Sequence, residues 1–137
     1  MSYIQTNAVV PISVATTLLA SDSGKTFMVS QAAAYTITLP AVTSDAGIEY
    51  KFIVATAGAN VVRINAIAAT PIVGHALNGP IAANNPSIVV GAGTIAVNFS
   101  TSCVLGDRIN LCSNGVNWFA EGFTGSNTLA TGITFTA

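Results

Sequence analysis

The sequence predicts an all-β fold, a single β-sandwich or jelly-roll-like domain, on three observations. Apolar residues recur at every second position over most of the chain, turn signals arrive every eight to twelve residues, and no window of ten or more residues carries a helical stripe. With 137 residues the chain is long enough for one domain with its own core. The core domain is expected at 24–123, between an N-terminal arm or set of edge strands at 1–23 and a C-terminal strand or arm at 124–137.

The elements follow in order. Residues 1–20, "MSYIQTNAVVPISVATTLLA", are rich in Thr, Val and Ile without inside-outside alternation, which suits strands laid on a sheet edge of the same or a neighbouring subunit. "SDSG" at 21–24 reads as a turn launching the strand-like "FMVS". In "AYTITLP", Tyr35, Ile37 and Leu39 share a face; in "GIEYKFIVA", Ile48, Tyr50, Phe52 and Val54 do so while Glu49 and Lys51 face away. Val62, Ile64 and Ala66 likewise oppose Arg63 and Asn65. Further turns are expected at "SDAG" 44–47, "AGAN" 57–60, "ALNGP" 76–80, "AGT" 92–94 and "SNG" 113–115. Asn114-Gly115 suits a tight hairpin, with Ile109 and Leu111 on one inner face and Trp118 inward on the returning strand.

Charge narrows the function classes. Only 7% of residues are charged, four basic and five acidic, while 51% are apolar. A free monomer relies on interspersed surface charge to avoid sticking to its neighbours, so a chain this poor in charge is expected to hide part of its outside in an oligomer or lattice. The net charge of -1 offers no basic stripe for nucleic acid and no handle for an anionic membrane. Residues 2–21 carry no charge, but Gln5, Asn7, Pro11 and Ser13 interrupt them, so neither a spanning helix nor a secretory signal is expected.

Four local patterns invite chemical readings, and each has a plainer one. "GKT" at 24–26 ends like a P-loop, but the required first glycine position holds Leu19 and a strand follows in place of a helix. "VVGAGTIA" spaces Gly91, Gly93 and Ala96 like a dinucleotide fingerprint, yet "VNFSTSCVL" continues as a strand, so a glycine-rich hairpin between "SIVV" and "TIAVNF" fits better. His75 is the single histidine, placed in a loop between short strands, with no Gly-x-Ser-x-Gly elbow to pair with it. Asn98-Phe99-Ser100 is a formal glycosylation sequon. The carboxylates are scattered; Asp107 with Arg108 is expected to shape a hairpin end, with a calcium site left open. Cys103 and Cys112 lack metal-type spacing, and a bridge or two free thiols both remain open. No catalytic, cofactor-binding or metal-ligating set is expected, and therefore no enzyme.

The order of elements from Gly24 to Gly122 resembles a known module. "GKTFMVSQAAAYTITLPAVTSDAGIEYKFIVATAGANVVRINA", an "IVG" turn and "GDRINLCSNGVNWFAEG" resemble a β-rich virion surface module of tailed phages and other double-stranded DNA viruses, found in head decoration, minor capsid and fibre proteins. The resemblance implies a non-enzymatic structural protein located in the virion. It implies self-association as a homotrimer and contact with the major capsid protein or another virion protein. A chain of this length suits a capsid decoration, cement or minor capsid protein. The alternative is a fibre-tip or lectin-like adhesion domain in which Trp118, Tyr50 or Tyr3 stacks on a receptor glycan.

Overall fold

A computed structural model describes residues 8–42, 47–82, 85–125 and 131–137. Twelve strands account for most of them: β1 Val9–Ile12, β2 Thr16–Thr17, β3 Thr26–Ser30, β4 Tyr35–Thr38, β5 Glu49–Thr56, β6 Val62–Asn65, β7 Ile72–Ala82, β8 Asn85–Thr94, β9 Ala96–Phe99, β10 Arg108–Ser113, β11 Trp118–Phe123 and β12 Ile133–Thr136. They form a seven-stranded sheet in the order β1-β3-β5-β10-β11-β7-β8, packed on a five-stranded sheet in the order β12-β9-β6-β4-β2. The fold is thus an all-β sandwich, and one hydrophobic core lies between the sheets.

The period of two places the core as expected. Ile37, Leu39, Tyr50, Phe52, Val54, Val62, Ile64, Ile109, Leu111 and Trp118 are all buried, while Glu49 and Lys51 point out. Aromatic packing fixes the centre: Tyr50 stacks on Trp118 at 5.6 Å between ring centroids, and Phe27 on Phe52 at 5.3 Å. Such pairs add about 0.5–1.5 kcal/mol beyond the area they bury.

The path between strands is less ordinary. The first six strands alternate between sheets, so that β1, β3 and β5 stack in parallel in one sheet while β2, β4 and β6 stack in parallel in the other. Three successive arcs therefore wind around the core, unlike the antiparallel Greek keys of a jelly roll. The arcs touch through polar backbone: Gln31, fully buried, donates from Nε2 to the carbonyls of Asn60 and Ser100, and Asn60 Nδ2 returns a bond to the Gln31 carbonyl. A Cβ on Gly58 would sit 2.3 Å from the Gln31 carbonyl oxygen, so only glycine lets these two arcs meet.

Three turn expectations are corrected. "ALNGP" at 76–80 lies inside β7, because Asn78 turns its side chain into the core and the strand passes through a register shift there without reversing. "AGT" at 92–94 and the hairpin around Gly91 and Gly93 are the end of β8; Ile95 then carries the chain into β9 of the other sheet. Gly91 is needed there because the Phe135 ring lies against it, 2.3 Å from where a Cβ would be. His75 accordingly sits in mid-strand on β7 and not in a loop. Of "SDAG", only Gly47 belongs to the described residues.

At 113–118 the expected hairpin forms. Ser113 pairs with Trp118, and Asn114 Oδ1 accepts from the backbone N–H groups of Val116 and Asn117. Strands β1 and β2 lie at one edge of each sheet, and β12 at the other edge of the smaller one.

Candidate functional site

"SDSGKT" closes on itself. Asp22 ends a short 3-10 turn and accepts from Lys25 Nζ at 2.5 Å and from the Leu19 N–H at 2.9 Å, which hold its carboxyl below the usual carboxylate range. Gly24 adopts φ +86°, and β3 begins two residues later. Lys25 is spent on this turn, and a strand occupies the place where a phosphate site would need a helix N-terminus.

Asp107 is also a structural anchor. It is buried, and its carboxylate accepts from the Val104 N–H at 2.9 Å, the Thr124 hydroxyl at 2.6 Å and the Gly125 N–H at 2.8 Å, tying the turn before β10 to the end of β11. Among the described residues no group of three or more His, Cys, Asp or Glu side chains could hold a metal ion. The sequon is closed as well: Asn98 is buried and its Nδ2 donates to the hydroxyls of Thr134 and Thr136 on β12. Both cysteines are free, Cys103 buried and Cys112 exposed. Trp118 and Tyr50 lie in the core, which removes them as sugar-stacking platforms; Tyr3 lies outside the described residues.

Two buried acids make the fold sensitive to alkali. Burial, then the Asp22 charge, pushes the Tyr50 phenol up to about 12; its hydroxyl donates to the Leu19 carbonyl at 2.6 Å. Burial, reinforced by Asp107, also raises the Cys103 thiol, which donates to the Gly132 carbonyl at 2.9 Å. Both groups hold their protons longer when folded, so their contribution is complete below the unfolded values. It is lost as pH rises, from about 9 for Cys103 and between 10 and about 12 for Tyr50. Two pH units on Tyr50 correspond to about 2–3 kcal/mol. Unfolding followed by circular dichroism from pH 7 to 12 is expected to show stability falling above pH 9, with a shallower fall in Tyr50→Phe above pH 10.

What remains is surface, and the two sheets present opposite kinds. On the outer face of the five-stranded sheet, one register row reads Thr17, Thr38, Asn65, Ala96, Thr136 and the next Thr36, Arg63, Asn98, Thr134. Arg63 Nε donates to Asn65 Oδ1 at 2.5 Å. The threonines of this face, with Arg63 and Asn65, are partly or fully exposed while Ala96 and Asn98 are buried, so hydroxyl groups dominate what it shows to water.

The outer face of the seven-stranded sheet is different. Its register places Pro11, Met28, Ile53, Arg108, Phe123, Leu77 and Ile88 in one row across all seven strands. Six of these seven are apolar, Ile88 is 66% and Phe123 43% exposed, and the Arg108 guanidinium lies over the Phe123 ring at 5.5 Å. The neighbouring row, Val9, Thr26, Lys51, Asn110, Glu121, His75, Val90, carries one cation and one carboxylate at equal distance on either side of Asn110. A third row holds Glu49, Cys112, Phe119, Val73 and Ala92. Short side chains on β10, flanked by longer ones on β5 and β11, leave an open groove of about 500 Å³ lined by Lys51, Asn110, Cys112, Phe119 and Glu121.

Comparison with protein-family models, curated proteins and solved structures finds no match. Ordinary monomers seldom expose large apolar patches, and here apolar residues on six of the seven strands share one outer row, interrupted at its centre by Arg108.

Proposed function

We propose that this chain is a non-enzymatic structural subunit of a virion, of the capsid decoration, cement or minor capsid kind, working by self-association and contact with other shell proteins. The observation that carries the reading is the apolar row across the outer face of the seven-stranded sheet, in a chain whose charged residues number nine. Supporting it is the contrast with the other outer face, whose partly exposed residues are mostly threonines. A sandwich with one wet and one sticky face is suited to lying on a surface or in an assembly. Covering apolar area stabilises such contacts by about 25 cal/mol per Å², and repetition over many copies makes modest contacts collectively strong.

The test is mass in solution together with particle binding. The purified chain is expected to run as an oligomer at micromolar concentration and to co-sediment with the virion shell from which it comes. Leu77→Asp with Phe123→Asp is expected to weaken both while leaving the circular dichroism spectrum unchanged. A chain that stays monomeric at high concentration and fails to bind shells would overturn the reading.

A further inference from the structure

Resting on that assembly reading, we infer that the outer face of the seven-stranded sheet pairs with the same face of a second copy, about a two-fold axis running along β10. β10 is the middle strand, with β5, β3 and β1 on one side and β11, β7 and β8 on the other. A two-fold along it, lying between the two faces, exchanges left for right and keeps position along the strands. Each residue then meets the partner residue equally far from β10 on the opposite side.

The rows are complementary under that exchange. Lys51 on β5 comes opposite Glu121 of β11 in the other copy, and the reverse contact forms at the same time. In the apolar row Ile53 meets Phe123, Met28 meets Leu77, and Pro11 meets Ile88. Asn110 and Cys112 lie on the axis and face their own copies; an amide both donates and accepts, so Asn110 is self-complementary. Arg108 lies on the axis too, but its guanidinium leans over Phe123, which draws the two like charges off to opposite sides. Glu49 comes opposite Phe119 at the rim, where a carboxylate keeps its water. The two grooves face each other and enclose a channel of mixed lining between the copies, in which Lys51, Asn110 and Glu121 supply the polar groups that bridging water could meet.

Charge selects this axis. A two-fold across the strands through the middle row would set Lys51 on Lys51 and Glu121 on Glu121 and lay the apolar row on the row of Glu49 and Cys112, while one through the apolar row would set Arg108 on Arg108 and leave Lys51 and Glu121 without each other as partners. The area is sufficient: two rows of seven residues and one of five, at about 4.8 Å between strands and about 7 Å between rows, give roughly 600 Å² of flat face per copy. The total for two copies, about 1,200 Å², reaches the lower bound of specific interfaces.

Chemical coupling and charge exchange test the pairing. A short two-carbon bis-maleimide is expected to convert most of the wild-type chain at micromolar concentration to a covalent dimer through Cys112, and Cys112→Ser to abolish this, Cys103 being buried. Lys51→Glu and Glu121→Lys are each expected to weaken association about tenfold by opposing like charges, and the double exchange to restore it, as no merely structural effect would. Matching circular dichroism and melting curves establish that the variants fold. A trimer, or any oligomer, without Cys112 coupling and without rescue overturns the face pairing and leaves the assembly reading standing. A chain that is monomeric yet binds shells does the same. A monomer that binds nothing overturns both.

Discussion

Asn78→Ala is expected to lower the free energy of unfolding by about 3–5 kcal/mol. Asn78 lies on β7 of the larger sheet with its side chain buried, and it is the polar link that draws β12 of the smaller sheet against it. Its Oδ1 accepts from the backbone N–H groups of Gly132 and Ile133, both at 3.0 Å, and its Nδ2 donates to the Ile133 carbonyl at 3.4 Å. Truncation leaves two buried N–H groups without that acceptor, each worth about 1–3 kcal/mol, and opens a small void beside fully buried Ile133. Urea denaturation followed by the fluorescence of Trp118, the single tryptophan and wholly buried, measures the change directly. A loss below about 1 kcal/mol would mean that the Asn78 link does not close this side of the sandwich.

The same residue shows where sequence reasoning stopped. Asn78-Gly79-Pro80 has turn composition, and local propensity alone makes it a turn. Tertiary context overrides it, because the asparagine amide finds partners on β12, which is more than fifty residues later in the chain. Alternation located the buried faces of β4, β5, β6, β10 and β11 well, since burial on one side of a sheet writes a period of two into the sequence. It does not say which sheet a strand enters. The parallel stacking of β1, β3 and β5 depends on short arcs such as 31–34 and 57–61, whose decisive contacts are a buried glutamine and a glycine with no periodic signature.

The surface was legible only in part. Scarcity of charge predicts hidden area but not its location. Seen singly, Leu77, Ile88 and Phe123 are scattered apolar residues; cross-strand register makes them successive neighbours and sets them in one row with Met28 and Ile53, across Arg108. Register is set by distant pairings, and β11 with β7 is a parallel pair formed between segments more than forty residues apart. An exposed row of this kind therefore becomes visible only once strand order is known.

Gly74→Ala is expected to be at least as damaging, by about 4 kcal/mol or more, for a reason unrelated to backbone freedom. Gly74 pairs with Ala120 where β7 runs parallel to β11. A Cβ there would lie 2.0 Å from the Ala120 carbonyl oxygen, 2.7 Å from its carbon and 2.8 Å from its nitrogen. Overpacking a core usually costs about 1–3 kcal/mol because side chains rearrange; here the three nearest atoms are all backbone, so the strands themselves must part. With β7 go β8, the Asn78 link to β12 and one whole flank of the outer face. Gly93→Ala provides the contrast: nothing lies within 4 Å of its Cβ position, but its φ of +77° is unfavourable to alanine. That change is expected to cost only about 1–2 kcal/mol. Comparing the two by urea denaturation separates steric exclusion from backbone strain, and equal losses would mean that β7 does not approach β11 as closely as the Gly74 geometry requires.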